Sequence, residues 1–148
     1  MNAENILDLT KAIQLALAPV FLLTGIAGIL NVMASRLSRI IDRGRSLTED
    51  PKGILLSEKD FIIKEIKNLE KRRHLASMAI TCCTISALLI CMVIPVLFIG
   101  VLLSIHLSLL IGILFTASTL VLVIGLAFFL REVHLATKTI RIPIPKIE

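Results

Sequence analysis

The side chains of this chain best suited to holding a metal or attacking a substrate are three cysteines and three histidines. Cys82, Cys83 and Cys91 all fall inside one apolar run. There they read as small buried residues rather than as disulfide partners or metal ligands. His74 and His134 flank that apolar region at similar distances from its two ends, so they would come to similar depth if it folds back on itself. Two such histidines could ligate haem or a metal, but nothing nearby completes a ligand set. The favoured reading is interfacial histidines beside Arg73 and Arg131, with His106 an exposed turn residue. There is no His-x-x-x-His pair, no Cys-x-x-Cys and no carboxylate pair at acid-base spacing. No metal, no cofactor and no enzymatic activity are therefore expected.

The elements that would position these groups follow from hydropathy. Of the 148 residues, 56% are hydrophobic and mean hydropathy is +0.92, too apolar for an ordinary globular domain. Charged residues make up 18% and segregate almost completely from the apolar stretches. Residues 12–35 carry no charge, which is enough for a first membrane-spanning helix. From Leu75 to Leu130 there is again no charged side chain, over about twice the length one crossing needs. That stretch must be two antiparallel helices, 75–101 and 108–130, joined by a short turn at 102–107. Pro95 is expected to bend the second span and Pro19 to bend the first or mark its beginning. Since no Asp, Glu, Lys or Arg lies within any span, a proton-driven transporter is disfavoured.

Charge then orients the chain. All of the 16 lysines and arginines except Lys11 lie in 36–74 or beyond residue 130, which are on one side if the chain crosses three times. The positive-inside bias makes that side cytoplasmic, with residues 1–11 a short external N-terminus and 131–148 a cytoplasmic extended tail. The net charge of +5 is read as a topology signal and a headgroup contact, not as nucleic-acid binding.

Residues 36–74 read as a basic cytoplasmic hairpin of two amphipathic helices. The first continues the membrane helix, with Leu37, Ile40, Ile41 and Leu47 on one face, and ends where Pro51 and Gly53 punctuate the chain. The second opens at Ser57, with Asp60 three residues on in the manner of a capping box, and runs through Phe61, Ile62, Ile66 and Leu69 into the next span. Beyond the last span, residues 140–145 alternate apolar and polar or proline residues, a frayed end or a strand that docks on a neighbouring subunit.

The first span carries the chain's most informative pattern. Alternating steps of three and four give Thr10, Gln14, Leu17, Phe21, Thr24, Gly28, Asn31, Ser35 and Ser38, a stripe small or polar almost throughout. Asn31 is costly in hydrocarbon and should face another helix or water. In one reading Thr24 and Gly28 form a close helix contact and Asn31 bonds across it. In the other, several copies surround an axis lined by Gln14, Thr24, Asn31 and Ser35, with Phe21 as an apolar constriction and Arg36, Arg39 and Arg43 at the cytoplasmic mouth. Thr81, Thr84, Ser86, Gly112, Thr116 and Thr119 mark the other spans as helix-contact residues.

The run from Ile13 to Arg43 resembles a family of small bacterial membrane proteins known as domain of unknown function 2721. Ala18-Pro19-Val20-Phe21, the Gly25 to Asn31 segment and the pattern Arg36-Leu37-x-Arg39-Ile40-x-Asp42-Arg43 carry the resemblance. It continues at Leu69, Arg72, Arg73 and Ser86-Ala87-Leu88-Leu89. It implies a bacterial inner-membrane protein with the three-span layout and transfers no active site. The expected protein is thus an all-α, three-span homo-oligomer, read as a passive ion-conducting pore lined by the first span. The rival reading is a membrane-anchored scaffold whose basic hairpin binds anionic lipid or a protein partner.

Overall fold

The computed structural model describes residues 3–49, 56–103 and 107–139. They form three helices: α1 (Ala3–Glu49), α2 (Leu56–Leu102) and α3 (Ser108–Thr139). Each is long and apolar enough to cross a membrane. A helix satisfies its own backbone groups, which hydrocarbon requires. Both internal prolines are absorbed without ending a helix: α1 runs through Pro19 and α2 through Pro95. Pro19 therefore does not mark where the first helix begins.

The middle helix organises the other two, since α2 packs against both α1 and α3. Its buried residues Ala76, Ala79, Cys83, Ser86, Ile90, Val93 and Leu97 follow steps of three and four. On α1, Ile26, Met33 and Ile40 are buried at steps of seven. The same interval on α3 gives Ser118, Gly125 and Glu132. A 3.5-residue repeat of inward positions is the spacing of knobs-into-holes packing. Ile26, Met33, Ala79, Cys83 and Ile90 form the centre, with Leu22, Leu122 and Phe129 among the side chains packed on it.

Small residues let α3 approach α2 closely. A Cβ built on Gly125 would meet Cys83 Sγ at 2.9 Å, Cys82 Cβ at 3.1 Å and the Ala79 carbonyl at 3.2 Å. Nearby, the Ser86 hydroxyl donates across the interface to the Ser118 carbonyl at 2.8 Å. Close packing and such polar contacts hold helices together where apolar side chains gain nothing by leaving lipid. Outward, large side chains such as Leu88, Leu109, Leu120 and Val123 are exposed, as suits a surface solvated by acyl chains.

The expected hairpin at 36–74 is not a separate unit. Its two arms are the end of α1 and the beginning of α2, continuous with the spans. The reason is local: neither arm contains a proline, and Gly44 alone does not break α1. The arms are tied side by side by Arg43 and Glu65, whose Nη2 and Oε1 lie 3.0 Å apart. Pro51 and Gly53 lie outside the described residues, while α2 opens at Leu56, one residue ahead of Ser57. At the other end α2 stops at Leu102, with the Leu103 amide still bonded to the Ile99 carbonyl, and α3 begins at Ser108. His106 in the turn and the tail at 140–148 lie outside the described residues.

Candidate functional site

Helix α1 has two unlike faces. The one carrying Ile26, Met33 and Ile40 is buried against the bundle. Gln14, Phe21, Thr24, Gly28, Asn31 and Ser35 all lie on the other side and are exposed. A Cβ on Gly28 would meet no atom within 4 Å, and the Thr24 hydroxyl turns back to the Val20 carbonyl at 3.2 Å. The close contact foreseen at Thr24 and Gly28 is thus not made inside one chain. Past Ser35 the same side continues into Ser38 and Asp42, whose hydroxyl and carboxylate are 3.5 Å apart, and Arg39, one turn on from Ser35.

The three arginines expected at one mouth are divided among different partners. Arg43 turns to Glu65 on α2. Arg36 turns towards α3, its guanidinium carbon 5.7 Å from the Phe129 ring centre and its Nη1 3.9 Å from Glu132 Oε2. Only Arg39 lies on the side of the polar stripe.

Glu132 is the functional-looking residue that sequence reasoning passed over. Its side chain is 1% exposed. Arg72 Nε and Nη2 both donate to its Oε1, at 3.2 and 3.0 Å. Oε2 is buried and accepts no hydrogen bond among the described residues; Arg36 stands opposite it, too far to bond. One carboxylate from α3 thus gathers an arginine from each of the other helices, just beyond the apolar stretches. The signal that finds it is the seven-residue interval through Ser118 and Gly125, which places an acidic residue at an inward position.

The same end of the bundle bears an open groove of about 960 Å³ that touches all three helices. Leu37, Ile41, Leu75 and Leu135 supply apolar walls. Lys67, Lys71, Arg73, His74 and Arg131 supply cationic and imidazole groups, against the single carboxylate of Glu70. His74 lies in this groove, and His134 is exposed on α3. Among the described residues no three His, Cys, Asp or Glu side chains gather as a metal site.

Thr81, Thr84 and Thr119 bond back to carbonyls of their own helices, at 2.9 Å each. Gly112 makes no close approach, whereas Gly125 does.

Three long apolar helices, packed through a 3.5-residue repeat and edged on one end by basic side chains, define an all-α membrane protein with three candidate spans. The chain belongs to the family described as protein of unknown function DUF2721, whose model matches residues 16–142. No curated protein and no solved structure matches it.

Proposed function

We propose that this protein is a homo-oligomer assembled around the polar face of α1, and that the assembly encloses a passive path for small ions. The observation that carries the reading is the exposure of Gln14, Thr24, Gly28, Asn31 and Ser35 on the side of α1 turned away from its own bundle. A carboxamide left facing hydrocarbon without a partner costs about 2 kcal/mol or more, so this face favours another copy or water. Phe21 forms the apolar constriction of the path, and Arg39 with Asp42 lines its basic end. That mixed pair argues for weaker anion preference than a triple ring of arginines would give. The excess of basic residues at this end supports an orientation with that end cytoplasmic and residues 1–11 outside, in a bacterial inner membrane.

The test is disulfide cross-linking in membranes. Cys82, Cys83 and Cys91 are replaced by alanine, and single cysteines are placed from Phe21 to Ser38. Cross-links between subunits at Thr24, Gly28, Asn31 and Ser35, with none at Ile26 or Met33, support the assembly. Ion flux from vesicles, altered by Phe21→Ala and Asn31→Leu, then supports the path. Cross-links without flux would reduce the face to a packing surface, and an absence of cross-links at every position would end the reading.

A further inference from the structure

The groove at the basic end has a composition that neither the helix packing nor the path through α1 requires. Four cationic side chains, Lys67, Lys71, Arg73 and Arg131, border it, and all four are exposed. One carboxylate, Glu70, opposes them. Glu65 and Glu132 are already held by Arg43 and Arg72, so the positive charge around the groove faces Glu70 as the one carboxylate among its lining residues. Its position adds a second property. Leu75 and Leu135 line the same groove, and Leu75 opens the uncharged stretch that runs to Leu130. The groove therefore straddles the boundary at which hydrocarbon gives way to headgroups, with apolar walls and a charged rim.

We infer that this groove is a binding site for an anionic phospholipid. Its phosphate lies among Lys71, Arg73 and Arg131, with Lys67 further from the membrane, and its acyl chains run past Leu75 along the uncharged stretch. Arginine holds phosphate oxygens in a planar fork, while lysine contributes a point charge. Basic pockets between membrane helices at the headgroup level have this chemistry. A soluble polyanion would gain the charge contacts but nothing from the apolar walls, so the lipid is the occupant that uses both halves of the groove. His74, beside the rim, adds a ring N–H for a phosphodiester oxygen.

The experiment uses the full chain in detergent micelles, with dimyristoylphosphatidylglycerol, dimyristoylphosphatidylcholine or inorganic phosphate added in separate arms, and counts bound molecules by native mass spectrometry. The expected result is retained phosphatidylglycerol, little phosphatidylcholine and no competition from millimolar phosphate. The variant pair Arg73→Gln/Arg131→Gln weakens phosphatidylglycerol binding by about thirtyfold. Arg45→Gln/Lys64→Gln, which removes two cations from the same end outside the groove, weakens it by less than about threefold. Thermal unfolding of both pairs at the wild-type temperature shows that the fold is kept. Equal retention of the two lipids would overturn the inference. So would inorganic phosphate displacing the lipid, or equal losses in the two variant pairs, because each removes either the acyl contribution or the groove itself.

Discussion

Arg72 and Glu132, sixty residues apart in sequence, meet with two guanidinium nitrogens on one carboxylate oxygen, and the acid is almost wholly enclosed. A buried pair of this kind stabilises little relative to apolar residues of the same size, because both charges have lost water. Removing one member alone is what costs. Glu132→Leu is expected to destabilise the bundle by about 3 kcal/mol, and Arg72→Met by a similar amount. The double variant regains most of that loss. Thermal unfolding of the four proteins in one detergent measures the coupling, and a double variant no more stable than either single one would contradict it.

Arg36 stands in a different relation to the same acid. Its side chain is 44% exposed and its Nη1 is 3.9 Å from Oε2, so its ion pair is screened and holds no hydrogen bond. Arg36→Gln should cost about 1 kcal/mol or less, while Arg36→Lys, which loses the flat stacking surface over Phe129, should differ little from it. A loss as large as that of Arg72→Met would show that Arg36 closes onto Oε2 in the membrane.

Two glycines on one helix are predicted to behave oppositely. At Gly125 a Cβ would meet Cys83 Sγ and the Ala79 carbonyl inside contact distance. Gly125→Ala should cost about 1 to 3 kcal/mol by forcing α3 away from α2. Cys83→Ala on that background relieves part of it, since the Ala79 backbone remains. Gly112 faces open space, so Gly112→Ala should be neutral or slightly stabilising. Comparing unfolding temperatures of the two variants checks both signs at once.

Ser86→Ala removes the hydroxyl that bonds to the Ser118 carbonyl while keeping the small volume that the interface needs. The expected loss is about 0.6 kcal/mol. Ser86→Leu should cost several times more, because the bulk, not the lost bond, then separates the helices. Equal losses in the two variants would mean that the hydrogen bond dominates.

How much of this was legible in the sequence depends on what each residue answers to. The two uncharged runs, and the short turn inside the second of them, follow from the length a bilayer imposes, and the helices α2 and α3 bracket that turn. The polar stripe of α1 was legible because its face is chemically distinct from its neighbours, and the residues of that stripe do share one exposed side. Glu132 was not legible from charge alone. One residue past Arg131, it looked like an ordinary flanking charge, and only its register with Ser118 and Gly125 marks it as inward. The arms of 36–74 were legible as continuations of the spans, with α1 ending at Glu49 and α2 opening at Leu56; what fails is only their treatment as a unit of their own, because helical hydrogen bonding carries each arm into its span. The roles of Arg36 and Arg43 were likewise hidden. Their partners, Glu132 and Glu65, lie on other helices and become neighbours only through packing.

Because the basic arms extend the spans, their height above the bilayer is set by helix rise. The residues of α1 from Arg36 to Glu49 add about 20 Å beyond the uncharged stretch, more than the roughly 6 Å of headgroup layer on each side. Lipid therefore touches only the lowest turns, and the remainder stands in water as a stiff paired post with Arg43 and Glu65 as its crossbar. In a ring of copies such posts would form a palisade, so that anything approaching along the axis would meet a charged vestibule before it met the membrane.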